Sequence, residues 1–246
     1  MRLPSRRRVP KTSDFVAREI ADEIITSNLA VGAMLPPEHE MIAALGVGRT
    51  TLREALRVLE ARGVITIKVG PGGGPVVRRP AATDLAEGLT LILAFESATL
   101  EEVVGARVAL ESTLVRSAAS APDQSEPVVE RLTVLNEELK AHVGDHEFTA
   151  LYEAWHSALA LGVGGPGTEL FVQPLLAIFG KQGVQDTSDA PAHRKIVASH
   201  SRLLKAIAAG DAAAAERTIQ RHLNDYYKTW RSGSPEAFAR PIRWAV

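Results

Sequence analysis

Apolar positions in the first third of the chain repeat with helical spacing, then switch to an extended pattern. Leu52, Ala55, Leu56 and Leu59 fall at i, i+3, i+4 and i+7, one face of a helix. Arg49, Arg53 and Arg57 recur every fourth residue on another face, with the hydroxyls of Thr50 and Thr51 beside the first of them. This helix should run to about Arg62, with Gly63 in the position glycine favours after a helix end. Residues 14–28 predict an earlier helix with Val16, Ile20 and Ile24 on one face and Ser13 or Asp14 as its cap. LAVGAMLPPE interrupts the pattern, and a short helix over 37–45 turns Met41, Ile42 and Leu45 inward. Gly46-Val47-Gly48 reads as a tight turn. VITIKV is β-branched and extended, GPGGGP a turn and VVRR a short returning strand. Helix, helix, turn, helix and hairpin make a winged helix-turn-helix.

RRPAATD, residues 78–84, has the composition of a linker, and beyond it nearly every segment has helical spacing. Helices are expected over about 84–97, 100–120, 125–142, 146–161, 168–183, 190–209 and 211–231, with Asp84, Thr99, Asp145 and Asp211 where N-caps belong. The clearest breaks are GVGGPGT (162–168) and GVQDTSDAP (183–191). The predicted fold is mainly α. It comprises a winged helix-turn-helix over 1–78 with a basic N-terminal arm, a linker over 79–84, an all-helical bundle over 85–233 and an irregular tail over 234–246.

Charge sharpens this division. Residues 1–80 carry 13 Lys and Arg against 8 Asp and Glu, whereas residues 81–246 carry 15 against 21. A basic segment joined to an acidic one points to a polyanion-binding module attached to something else. There is no cysteine, so disulfides and thiolate metal sites are excluded. No apolar run reaches the roughly 18–20 residues of a membrane span, and the basic start, MRLPSRRRVPK, leads into an amphipathic, charged segment rather than a signal-peptide core. The expectation is a cytoplasmic protein without a membrane partner.

The second helix of a helix-turn-helix enters the major groove with its N-terminal residues against the bases. That places Arg49, Thr50, Thr51 and Arg53 where base edges and phosphates of double-stranded DNA are met. An arginine fork can bond guanine O6 and N7 together, and threonine can bond a base or touch a thymine methyl. The glycines of the hairpin permit close approach to the minor groove, and the arginines of the arm add attraction to phosphate.

The segment LPPEHEMIAALGVGRTTLREALRVLEARGVITIKVG resembles the DNA-binding domain of the GntR family of bacterial transcription regulators, over roughly residues 12–78. RTTLRE is especially similar to its fatty-acid-responsive FadR branch. The resemblance assigns DNA contacts to His39, Arg49, Thr50, Thr51, Arg53 and the wing-tip Gly70. Three positions depart from the pattern: His39 stands for an arginine, Gly48 for a serine or threonine, and Val69 for the wing-tip histidine of the branch. A histidine at 39 weakens any phosphate contact at neutral pH, where an unperturbed imidazole is mostly uncharged.

The remainder resembles the all-helical FCD effector domain of that branch. ARVALESTLVRSAA matches its Arg-x-x-x-Glu helix through Arg107 and Glu111, LYEAWHSAL its Asp-x-x-Phe-His segment, and ASHSRLLKAIAAGDAAAAERTIQRHL its pair of histidines. Many such domains hold a divalent metal through one aspartate and three histidines, which implies zinc or nickel on His156, His200 and His222. Three such ligands leave positions open for an anion. The aspartate is Tyr152 here, a poor neutral ligand. Glu153, three residues before His156, has a spacing that could serve instead. Arg107 is the natural carboxylate clamp, with a plain salt bridge to Glu111 as its structural alternative. The implied effector site is therefore Arg107, Tyr152, His156, His200 and His222, while His39, His142, His146 and His193 have no matched role in it and read as surface residues.

Together these features describe a homodimeric, ligand-responsive repressor, not an enzyme, that binds a short inverted-repeat operator and answers to a small organic acid or acyl derivative. An effector-independent architectural protein is the alternative. A three-histidine metalloenzyme would leave the winged-helix segment without a role.

Overall fold

The computed structural model describes residues 12–70, 72–182 and 189–244. The chain forms two compact units, Met1–Asp84 and Leu85–Val246. The first holds α1 (Thr12–Thr26), α2 (Glu38–Leu45), α3 (Arg49–Ala61), β1 (Ile65–Lys68) and β2 (Gly74–Val77). Val16, Ala17, Ile20 and Ile24 of α1 bury against Leu52, Ala55, Leu56 and Leu59 of α3 in one core with Leu35, Met41, Ile65 and Val77. The apolar face of α3 is thereby used inward, and its arginine face is left outward.

Two glycines fix the turns that aim α3. Gly46 takes the left-handed conformation after α2, φ 64°, and donates its N–H to Ile42 O. Gly63, φ 69°, follows α3 and lets Val64 N–H reach Leu59 O at 2.9 Å, the pattern of a glycine-terminated helix. A Cβ at Gly63 would also lie 2.5 Å from an Asp84 carboxylate oxygen. β1 and β2 pair antiparallel, Ile65 opposite Val77 and Lys68 opposite Gly74. Met34 adds a bridge to Val76. The arginines of the N-terminal arm lie outside the described residues.

Asp84, expected as an N-cap, instead lies inside the first turn of α4 (Ala82–Phe95). Its carboxylate reaches back to accept the Ala81 N–H at 2.7 Å and pairs with Arg78 at 3.0 Å. The helix starts earlier than its apolar spacing, because an acid three residues into a helix can satisfy the N-cap backbone. Two other caps hold: Thr99 and Glu102 form a reciprocal capping box, and Asp211 accepts from Ala214 N–H. Asp145, expected as a cap, lies three residues ahead of the seventh helix, which starts at Phe148, and its carboxylate accepts the Glu147 N–H at 3.2 Å.

The second unit continues with α5 (Leu100–Ser120), α6 (Pro122–Ala141), α7 (Phe148–Lys181), α8 (Ala190–Ala208), α9 (Ala212–Gly233) and α10 (Pro235–Ala239). α5 packs on α9 and α7, α6 on α7 and α8, and α8 on α9. The first expected break, at 162–168, appears within α7, where Gly165 is non-helical at φ 72°, ψ −174° and divides it into two segments. Of the second, residues 183–188 lie outside the described residues, and α8 begins after Asp189, which caps Ala192 N–H. Trp155, fully buried, ties α7 to α6 by donating its indole N–H to Leu132 O at 3.0 Å.

The tail, irregular by its composition, contains one short helix and is docked on the core. Pro235 starts α10, Phe238 and Ile242 are buried, and Ile242 N–H donates to Ala98 O at 2.8 Å. Two apolar residues four apart are enough to dock a short segment once a core face is there to receive them. His193 also departs from the surface reading. It is buried, stacks on Phe148 with ring centroids 3.7 Å apart and accepts the Gly144 N–H. No helix among the described residues is long and apolar enough to cross a membrane.

Candidate functional site

In the first unit Arg49 opens α3, behind Gly48 in extended conformation, which has no side chain to cap the helix. The uncapped N–H groups and Arg49 together make a site for anions. Arg49, Thr50 and Arg53 are exposed and Thr51 is half-buried. Arg53 Nε donates to Glu38 on α2 at 3.1 Å, so this arginine is held by a carboxylate in the free protein. His39 is exposed beside Glu40. At the hairpin tip Gly70 takes φ 114° and Val69 is 94% exposed. All six residues assigned to DNA therefore lie on this unit, five of them exposed.

The five residues assigned to an effector lie inside the second unit. Arg107 and Glu111 come from α5, Tyr152 and His156 from α7, His200 from α8 and His222 from α9. Arg107, Glu111, Tyr152, His156 and His200 are completely buried, and His222 nearly so. His222 Nε2 lies 3.2 Å from His200 Nε2 and 3.3 Å from His156 Nε2. These three form the metal-compatible group among the described residues, and Glu153 is not part of it. Instead Glu111 serves α5 and α7 at once, one oxygen 2.5 Å from Arg107 Nε and the other 2.6 Å from His156 Nδ1. Arg107 also donates to the Tyr227 hydroxyl at 2.6 Å.

Burial sets the charge states. It lowers the pKa of all three imidazoles well below the ordinary 6.5; neighbouring imidazoles add to this at His200 and His222, Arg107 adds to it at all three, and Glu111 opposes it only at His222. The rings are therefore neutral, the form that ligates metals. Burial also pushes the Glu111 carboxyl up, against the opposing pull of Arg107. It works against the Arg107 charge too, but Glu111, Tyr227 and Tyr152 outweigh it and hold the guanidinium charged.

The residues fit a divalent metal. Zinc–imidazole bonds of about 2.0–2.1 Å in a tetrahedron put ligand nitrogens roughly 3.4 Å apart, close to the spacings seen around His222. The bare cluster is also poorly satisfied. An imidazole nitrogen carries one hydrogen or one lone pair, so His222 Nε2 can serve only one of its two neighbours well. His200 Nδ1, the Tyr152 hydroxyl and Arg107 Nη2 are buried without a hydrogen-bond partner. Such groups cost free energy unless something completes them.

Aromatic rings wall the cluster: Trp155 stacks on His200 at 3.8 Å, and Tyr226 lies 4.1 Å from Tyr152. Sequence reasoning missed these walls, although Trp155 adjoins His156 and Tyr226 follows His222 by one helical turn. Beside His222 a cleft of about 390 Å³ runs between α8 and α9, lined by Lys195, Arg202, Arg221, Asp225 and Tyr226.

A winged helix-turn-helix joined to a helical unit with a closed polar cluster defines a DNA-binding transcription regulator with a separate ligand domain. Comparison with known proteins gives the family. Residues 12–74 match the bacterial regulatory proteins of the gntR family, and residues 102–225 match the FCD domain. The chain is similar to an HTH-type transcriptional repressor NanR from Cronobacter sakazakii, at 28% identity covering 94% of this chain and 89% of the relative. It is also 30% identical to an HTH-type transcriptional regulator from Mycobacterium tuberculosis, over 90% of this chain and 89% of that one. A solved GntR structure from Streptococcus agalactiae, 23% identical, shares the fold with a TM-score of 0.63, covering 89% of this chain and 99% of its own. The chain belongs to the GntR family of transcription regulators, with an FCD domain.

Proposed function

We propose that the protein is a homodimeric repressor that binds a short inverted repeat and releases it when a small organic acid or acyl derivative occupies the buried cluster. The observation that carries this reading is the convergence of three imidazole nitrogens with two unpartnered donors, Arg107 Nη2 and the Tyr152 hydroxyl. Arg107 clamps the ligand's carboxylate through its free nitrogen, and Tyr152 donates a second hydrogen bond. Glu111 keeps His156 oriented. His156, His200 and His222 would hold zinc or nickel, which supplies a Lewis-acid position for a ligand oxygen when bound.

On the DNA side Arg49, Thr50, Thr51 and Arg53 meet base edges and phosphates, His39 lies at the edge of that face, and Gly70 brings the wing backbone close to the minor groove. A dimer reads half-sites at a fixed separation, so a ligand need only favour one separation of the two recognition helices to change affinity. The relatives named repressors support the direction of control.

The test separates the two units. His200→Ala or His222→Ala should abolish stabilisation by zinc and leave binding to a selected DNA duplex intact. Arg49→Ala should do the reverse. Loss of DNA binding in the histidine variants with the fold preserved would contradict the reading.

A further inference from the structure

α4 is the helix that joins the two units, since it begins at Ala82 and the first unit ends at Asp84. Its far end turns into α5 through Ser97, a non-glycine residue at φ 55°. This is the left-handed conformation that glycine favours at a helix end, and Ala98 N–H closes back on Leu93 O at 2.9 Å. A serine is strained in that shape, which persists where the surroundings hold it in place.

The C-terminal tail is what holds it. Ile242 N–H donates to Ala98 O at 2.8 Å, and Pro241 forms an antiparallel bridge with Thr99. Thr99 is also the cap of α5, so one residue serves both the helix and the tail. The tail is tied in turn to Gln182, just past the end of α7. The Gln182 amide donates to Arg243 O at 2.7 Å and accepts Arg243 N–H at 2.9 Å, while Arg240 donates to Gln182 O at 3.2 Å. Gln182 is buried, so its amide is costly to leave without these partners.

On its inner side the tail rests on the helices that carry the histidine cluster. Phe238 is buried 6.1 Å from Phe179 of α7, and Phe179 stacks on Tyr227 of α9 at 4.6 Å. The Tyr227 hydroxyl accepts from Arg107. Arg231 of α9 lies over the Phe238 ring and grips Glu101, at the start of α5, through two nitrogens. A continuous run of contacts thus leads from Arg107 to the α4–α5 corner by way of the tail. The corner and the tail both lie outside the span 102–225 that matches the FCD domain, so the match does not account for them.

We infer that Pro235–Arg243 is a strap that fixes the direction in which α4 leaves its corner, and with it the separation at which two copies present their recognition helices. The inference rests on the reading of the protein as a dimer on an inverted repeat. The strap is a positioning element that acts through α4, not a contact to the DNA.

The experiment is fluorescence anisotropy of the full chain with inverted repeats of a selected half-site, spaced apart in single base-pair steps, and with a duplex carrying one half-site. Each added base pair moves a half-site by about 3.4 Å and turns it by about 35°, so a rigidly set dimer tolerates few spacings. Wild type should favour one spacing over its neighbours by at least about tenfold, within the range common for coupled sites. Ile242→Pro removes the N–H that holds Ala98, and Gln182→Leu removes the pairing with Arg243. Both should bind the single half-site as wild type does, with their preference among spacings reduced to about threefold or less. Ile242→Pro decides if its melting shows a folded second unit; if it does not, Gln182→Leu, which leaves Phe238 and Ile242 in the core, decides. A deciding variant that keeps the wild-type preference overturns the strap and leaves the dimer reading standing. One that loses single half-site binding also overturns it, because the tail would then bear on the DNA-binding unit itself. A wild type that binds every spacing equally overturns both.

Discussion

The proposed DNA-binding face and the histidine cluster are assembled in opposite ways. Arg49, Thr50, Thr51 and Arg53 come from five consecutive residues of one helix, and all but the half-buried Thr51 stand exposed. The cluster draws on α5, α7, α8 and α9, from Arg107 to His222, and is closed to solvent. A face addressed to a large partner needs exposure and a scaffold behind it. A pocket addressed to a small ligand needs convergence and burial, and its residues also carry the stability of the unit that holds them. Substitutions should therefore damage binding alone in the first unit, but stability and binding together in the second.

The largest effect should follow Arg107→Ala. It leaves the Glu111 carboxylate buried without its partner and the Tyr227 hydroxyl without its donor, so the second unit should lose about 3–5 kcal/mol. Calorimetric melting should show its transition falling well below the wild-type value while the first unit's stays in place.

Falling pH should separate the units next. Burial holds the three imidazoles below their ordinary pKa, so the unfolded chain takes up protons first as pH drops. Their stabilisation is complete above about pH 6.5 and is lost as pH falls from there toward the folded values. The loss is at most about 1.4 kcal/mol per pH unit for each histidine. Glu111, raised by burial, offsets one proton of the three once pH falls below its own folded value. Melting of the second unit should be steeply pH-dependent below 6.5 and shallower in His200→Ala.

Arg49→Ala should weaken binding to a duplex selected from a random library by about 1–3 kcal/mol, read by fluorescence anisotropy, with melting unchanged. Smallest is Glu38→Ala. The exposed Glu38–Arg53 pair contributes at most about 1 kcal/mol to stability, and releasing Arg53 should leave DNA affinity equal or tighter. If Arg53 then meets phosphate, the salt slope should steepen by about one ion.

The same contrast explains what was legible in the sequence. The winged helix-turn-helix is a run of local signals: the apolar face of α3, the turn at Gly46, the stop at Gly63 and the hairpin glycines. The exposed place of Arg49 and its neighbours at the start of α3 was readable because it depends on position along one helix. The three histidines were readable only through a resemblance, since no local rule joins residues 156, 200 and 222. That Glu111 would reach His156 as well as Arg107 required the packing of α5 on α7. Spacing made Glu153 the more obvious carboxylate, and packing overrode it. The tail misled for a related reason, because Phe238 and Ile242 read as irregular until the core that receives them exists.

The central claim is that occupancy of the buried cluster changes DNA binding by the other unit. Its most direct test is an anisotropy titration of the selected duplex with wild type and His222→Ala, each with and without zinc plus succinate. The wild-type affinity should weaken when both are added, and His222→Ala should bind with the same affinity in both conditions. A wild-type titration that does not move, or a His222→Ala titration that moves as far as the wild type, would contradict the claim.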